Sequence, residues 1–155
     1  MTLRALSDQP RHGSPETRDQ AWRNRKDGSG RRRVLIVEDE FLLALQVEQL
    51  LTDAGFTITG LAADAATAVR LASETRPHLV LMDVRLNGSR DGVDAAVEIW
   101  QQLGIQSLFV TGNAETASSP RAKAANAVGI LSKPYRDSDI LAAVQSALAA
   151  PRGDC

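Results

Sequence analysis

Val34-Leu35-Ile36-Val37-Glu38-Asp39, residues 34–39, is an apolar run of four that ends in two acids. A short unbroken run of this kind reads as a strand buried on both faces. The pattern returns three times. Leu79-Val80-Leu81-Met82 leads to Asp83, Ser107-Leu108-Phe109-Val110 to Thr111, and Gly129-Ile130-Leu131-Ser132 to Lys133. In a parallel sheet with helices on both faces, the carboxyl ends of the strands form the ligand crevice. Glu38, Asp39, Asp83, Thr111 and Lys133 are therefore expected to meet there. Three carboxylates, a hydroxyl and an ammonium can hold a divalent cation and move a phosphoryl group onto a carboxylate.

Between these runs the chain alternates strand and helix with short connections, the pattern of an α/β fold. Phe41, Leu42, Leu45, Val47, Leu50 and Leu51 recur at helical spacing, and Ala54-Gly55 supplies a stop. Phe56 to Leu61 reads as the second strand. Asp64 is placed to cap a helix that runs to about Thr75. Pro77 opens the third strand. Asp91-Gly92 precedes a helix carrying Val93, Ala96, Val97, Ile99 and Trp100, with Gly104 ending it. The fourth strand is expected over 106–110, a weak alanine-rich helix over 122–127 started by Pro120, and the fifth strand over 129–132. Asp137 or Ser138 caps the last helix, which ends before Pro151. The expected architecture is a (βα)5 unit with no internal repeat.

Composition sets the outer bounds. The 155 residues suit one domain with a real core, and no apolar stretch approaches the roughly 20 residues that cross a bilayer. The N-terminus lacks the apolar segment of a secretory signal, and the single cysteine, Cys155, closes no internal disulfide. A cytoplasmic protein without membrane association is expected. The net charge of -1 hides a division. Residues 1–33 hold nine Arg and Lys against four Asp and Glu, a net +5, whereas residues 34–155 hold nine basic and fifteen acidic groups, a net -6. Residues 1–32, rich in turn formers and poor in aliphatics, read as a flexible basic arm; 33–150 is the expected domain and 151–155 a tail. Arg31-Arg32-Arg33 is a solvated lead-in on this reading. Trp22 is the arm's one large aromatic.

Five segments taken in order resemble the receiver domain of bacterial two-component response regulators. They are Val34-Leu35-Ile36-Val37-Glu38-Asp39-Glu40, Leu79-Val80-Leu81-Met82-Asp83-Val84-Arg85-Leu86, Asp91-Gly92, Val110-Thr111-Gly112 and Lys133-Pro134-Tyr135. The resemblance covers about Arg33 to Ala150. It implies a flavodoxin-like doubly wound sheet of strand order 2-1-3-4-5. It also implies that a sensor histidine kinase, or a histidine phosphotransfer protein, donates a phosphoryl group to Asp83 with Mg2+ as cofactor. Asp39 would ligate the metal directly and Glu38 through water, with Asp83 and the backbone carbonyl of Arg85 completing the protein's donors. The Lys133-Pro134 bond would be cis.

The residue chemistry fits these roles. A carboxylate such as Asp83 can carry phosphate as an acyl phosphate. Lys133 offers positive charge to the phosphoryl oxygens and pairs with Asp83 beforehand. The Thr111 hydroxyl can donate to a phosphoryl oxygen once Asp83 is modified, and its inward movement would reorganise the loop that follows. Glu40 suits the first turn of the next helix. His78, with no second His or Cys nearby, reads as a solvated or hydrogen-bonded side chain, and Trp100 as core.

Three features depart from the common receiver pattern. Ile130 stands where an aromatic is usual three residues before Lys133, Gly112-Asn113 follow Thr111, and the loop from Arg85 to Asp91 is about one residue longer. Ordering of 112–127 is the output expected, with Tyr135 in a packing role. Arg85 and Asn113, beside the site, are expected to influence how long the phosphoryl group persists. With no effector segment after the last helix, the expectation is a stand-alone receiver that signals through contact with a protein target and turns over no external substrate. The alternatives are a nucleic-acid-binding regulator using the basic arm and a degenerate receiver acting as a constitutive binding module. The first lacks a reading helix or an aromatic platform. A phosphatase-like hydrolase is disfavoured because Arg85 occupies the position of its second aspartate.

Overall fold

The computed structural model describes residues 30–149; most of the basic arm, including Trp22, and the tail with Cys155 lie outside them. Five parallel strands form one sheet in the order β2-β1-β3-β4-β5, as expected. They are β1 Arg33–Val37, β2 Thr57–Ala62, β3 Leu79–Asp83, β4 Ser107–Thr111 and β5 Gly129–Ser132. The helices are α1 Phe41–Asp53, α2 Ala65–Thr75, α3 Gly92–Leu103, α4 Ala114–Ala117, α5 Pro120–Lys123 and α6 Asp137–Ala149. No helix among the described residues is long and apolar enough to cross a membrane.

The central strands are buried because alternate residues serve two separate cores. Leu35, Val37, Val80, Met82 and Phe109 pack with α2, α3 and the small residues Ala117, Ala122 and Ala125. Val34, Ile36, Leu79, Leu81, Leu108 and Val110 face the other way, toward Ala44, Val47 and Leu51 of α1 and Ile140, Val144 and Leu148 of α6. The strand register then brings the ends level. Val37 pairs with Met82, Asp83 with Val110, and Thr111 with Ser132. Glu38, Asp83, Thr111 and Lys133 thus leave the sheet at one edge.

Local chemistry sets the helix ends. The Asp64 carboxylate accepts from Thr67 N at 2.8 Å and caps α2. Asp91 and Asp94 form a reciprocal capping box at the start of α3, and Gly104, at φ 68°, ends it in the left-handed region. Other expectations need correction. The helix over 122–127 is instead two four-residue helices, α4 and α5, followed by turns up to Asn126. Asn113 and Ser119 cap them, and Pro120 does start the second. Short polar spacing around alanines supports single turns rather than a sustained helix. Glu40 is the N-cap residue of α1 rather than part of its first turn. Neither Asp137 nor Ser138 caps α6; Asp139 reaches back to Arg136 N at 2.9 Å. Trp100 is half-buried rather than core, because Ile99 takes the inward position. Phe41, Leu42 and Leu45 share helical spacing but are exposed, with Ala44 and Val47 facing the sheet instead. His78 is buried, and its Nδ1 accepts from Arg33 N at 3.0 Å. The sheet also reaches back beyond 33, since Thr57 N donates to Arg32 O at 2.8 Å.

One glycine decides how closely α3 approaches the crevice. Gly92 N donates to Val84 O at 2.8 Å, and a Cβ at Gly92 would stand 1.9 Å from Asp83 O. Only hydrogen fits against that carbonyl. Replacing Gly92 with Ala must push the start of α3 away from β3 and is expected to lower stability by about 3 kcal/mol or more. Urea unfolding of the variant checks this.

Candidate functional site

Lys133 Nζ stands between two carboxylates, 3.3 Å from Glu38 Oε1 and 3.3 Å from Asp83 Oδ2. Each acid uses its second oxygen elsewhere. Glu38 Oε2 accepts from Glu40 N at 3.0 Å, and Asp83 Oδ1 accepts from Arg85 N at 3.2 Å. These bonds come from the turns that follow β1 and β3, so the same turns that end the strands aim the acids. Glu38 is itself held in line with the sheet by its N–H to Ala62 O at 2.9 Å. Lys133 N donates to Thr111 O at 2.8 Å, which fixes the root of the lysine against β4. The Lys133-Pro134 bond is cis, as the sequence resemblance implied.

Glu38, Asp39 and Asp83 each offer a carboxylate oxygen within 4.8 Å of the others. Among the described residues, Lys133 forms ion pairs with two of these three acids, Glu38 and Asp83. Burial raises the Glu38 carboxyl above its usual range, and the neighbouring Asp83 adds to that, against the opposing Glu40 N–H and Lys133. Burial and then Glu38 raise Asp39 likewise. Burial works against the Lys133 charge, but attraction from Asp83 and Glu38 outweighs it and its pKa lies above the usual lysine value. The acids are thus crowded beyond what the lysine balances. An all-oxygen donor set with surplus negative charge suits a hard cation such as Mg2+.

Thr111 comes to the same edge, but its hydroxyl bonds to neither the acids nor the lysine side chain. Its hydroxyl donates to Asn113 O at 3.1 Å and accepts from Asn113 N at 2.9 Å. Asn113 O also accepts from Thr116 N at 3.2 Å, and the Asn113 side chain caps α4. The threonine is therefore wired to the start of α4. Beside it, residues including Val84, Arg85, Asp91, Thr111, Asn113 and Thr116 line an open cleft of about 510 Å³. Tyr135 is half-buried on the other side, against Glu38, Asp83 and Val110, in the packing role expected of it.

The response regulator receiver domain family matches residues 34–145. The chain belongs to that family. It is 38% identical over 122 residues to the transcriptional regulatory protein PdtaR of Mycobacterium tuberculosis, across 79% of this chain and 59% of PdtaR. It is 30% identical to the phyllosphere-induced regulator PhyR of Methylorubrum extorquens, across 74% of this chain and 43% of PhyR. The chain thus spans roughly half the length of these relatives. Among solved structures, the solution structure of the receiver domain of Erythrobacter litoralis PhyR superposes with a TM-score of 0.70 at 29% identity, covering 81% of this chain and 98% of that one. The receiver fold implied by the resemblance of the five segments is the one present.

Sequence reading brought Glu38, Asp39, Asp83 and Lys133 together correctly. It placed Thr111 at the right edge without showing that its hydroxyl is already occupied. It missed the Glu38–Lys133 pair, which no spacing announces, and the bonds from Arg121 to Asp91 and Asp94. Crowding gives a measurable consequence. Replacing Asp39 with Asn is expected to raise the melting temperature of the metal-free protein by a few degrees, equivalent to about 1 kcal/mol. The same change should abolish the stabilisation that added Mg2+ gives the wild type. Melting curves with Mg2+ and with a chelator test both.

Proposed function

We propose that this receiver is phosphorylated on Asp83 by a histidine kinase or a histidine phosphotransfer protein, in a reaction that needs Mg2+, and signals through contact with a target protein. The observation that carries the reading is Lys133 Nζ at 3.3 Å from Asp83, beside two further carboxylates that raise the local demand for a cation. An Asp83 oxygen would attack the phosphorus of a phosphohistidine. A new P–O bond forms as the P–N bond breaks, and the imidazole leaves with the electron pair. Glu38, Asp39, Asp83 and the backbone carbonyl of Arg85 would hold Mg2+, which when bound supplies positive charge to the phosphoryl oxygens.

Lys133 starts paired with the nucleophile and would pass to a phosphoryl oxygen as the negative charge moves outward. The Thr111 hydroxyl would exchange Asn113 O for another phosphoryl oxygen. That exchange removes the bond donated to Asn113 O and pulls on the one accepted from Asn113 N, so the chemistry at Asp83 would be read out in the segment from Asn113 onward. Asn113 and Arg85 line the cleft beside the site and would influence the lifetime of the acyl phosphate by controlling the access of water. Ile130 is 42% exposed and lies outside the crevice, so readout through a rotating aromatic at that position is not available to this chain.

A partner surface lies beside the site. Phe41 and Leu42 open α1 directly after Asp39 and Glu40, and are 67% and 73% exposed. Adjacent exposed apolar side chains on a first helical turn suit the docking of another protein, which brings a phosphohistidine to Asp83. The reading describes a cytoplasmic signalling module and not an enzyme with an external substrate.

Incubation with a small acyl-phosphate donor and Mg2+, followed by intact-mass analysis, tests the assignment. One phosphoryl group should appear, and it should be lost when Mg2+ is chelated or when Asp83 is replaced by Asn. Phosphorylation that persists in the Asp83→Asn protein would place the acceptor elsewhere. No phosphorylation of the wild type, beside a receiver that reacts, would indicate a module working by fixed contacts.

A further inference from the structure

Arg121 reaches across from α5 to the start of α3. Its Nη2 donates to Asp91 Oδ2 at 2.9 Å, while Nη1 donates to Asp91 Oδ1 at 3.1 Å and to Asp94 Oδ1 at 2.7 Å. The guanidinium therefore grips Asp91 with both prongs and Asp94 with one. The two acids are also tied to each other, because Asp94 N donates to Asp91 Oδ1 at 3.0 Å and Asp91 N to Asp94 Oδ2 at 3.1 Å. The bond from Arg121 holds the Asp91 carboxyl below the usual aspartate range. Asp91 also lines the 510 Å³ cleft, opposite Thr111 and Asn113. The ion pairs thus tie together the two loops that flank Asp83.

Among the described residues, the tied segment is otherwise lightly packed. Its buried side chains are Ala117, Ala122 and Ala125, each contributing one methyl group, and α4 and α5 are single turns. At its far end Gln106 Nε2 donates to Asn126 O at 2.8 Å. At its near end it hangs on Thr111 through Asn113. A movement of the Thr111 hydroxyl would loosen that near end, eight residues before Arg121. An interaction present in one state and lost in the other shifts the equilibrium by its full differential free energy.

We propose that Arg121 is a latch whose bonds to Asp91 and Asp94 hold residues 113–126 in the unphosphorylated arrangement and so oppose modification of Asp83. The latch rests on Asp83 being the phosphoacceptor. Phosphorylation loosens it from the Thr111 side, and a partner that drew Arg121 away would favour phosphorylation from the other. Replacing Arg121 leaves both members of the α3 capping box in place, so the fold at that helix start survives the test.

Calorimetric titration with beryllofluoride in the presence of Mg2+ mimics the phosphoryl group without turnover. Arg121→Gln should bind it roughly threefold to fivefold more tightly than wild type, the shift expected for an exposed charge network lost in one state. Arg121→Lys, which keeps the charge but not the fork, should fall between them. Amide exchange over 113–126 should be faster in Arg121→Gln before any mimic is added. Equal or weaker binding by a folded Arg121→Gln protein would overturn the latch and leave the ion pairs as a stability element in both states. If Arg121→Gln does not fold, the lysine variant decides by the same comparison. Binding by no protein, wild type included, would remove the phosphoacceptor reading and the latch together.

Discussion

Glu38 and Asp83, with Asp39 beside them, share the Lys133 ammonium at the carboxyl ends of the strands, and much of the structure is arranged to keep that ammonium in place. Glu38 and Asp39 follow β1, Asp83 ends β3, and Lys133 follows β5, at the far side of the sheet order. The lysine must cross β4 to reach Glu38 and Asp83, each 3.3 Å from its Nζ. Its backbone N–H to Thr111 O makes the crossing possible, and the strand register sets the height at which it happens. Removing a charge from such a group costs more than an exposed ion pair would, because Glu38 and Asp83 are both buried.

The same edge joins a rigid part to a weakly held one. Glu38, Asp83 and Lys133 stand on strands whose side chains fill two cores, and Gly92 allows α3 to close tightly behind Asp83. Thr111 also ends a buried strand, but its hydroxyl is spent on Asn113, at the start of a segment held by alanines and an arginine fork. The contrast in packing gives a physical reason for chemistry at Asp83 to be felt from Asn113 to Asn126 rather than in the strands. A group that gains a new hydrogen-bond acceptor in the crevice can release the weak side without disturbing the strong one.

Much of this was legible in the sequence because buried parallel strands have unbroken apolar runs and polar residues at their ends. Val34 to Val37 and Leu79 to Met82 could hardly be read otherwise, and Asp64, Asp91 and Gly104 marked helix ends through capping chemistry. The strand order and the metal donors came from resemblance to a family rather than from periodicity. Reading failed where tertiary packing chose between equivalent patterns. Phe41, Leu42 and Leu45 have the spacing of a buried face, yet the smaller Ala44 faces the sheet. Ala122 to Ala127 has helical composition, but a left-handed Asn126 and the cap at Ser119 divide the region into turns. The Arg121 fork joins residues 27 and 30 positions apart, a separation that carries no local signal.

The charge balance at the strand ends is tested most directly by thermal unfolding of Lys133→Met, with Mg2+ and with a chelator. Without metal, the variant should be less stable than wild type by about 2 kcal/mol or more, because the crowded carboxylates lose the ammonium paired with Glu38 and Asp83. Mg2+ should then stabilise the variant more than it stabilises the wild type, since it replaces the missing charge. A variant as stable as wild type in chelator, and unmoved by Mg2+, would show that the acids are not held together against repulsion and would contradict the account.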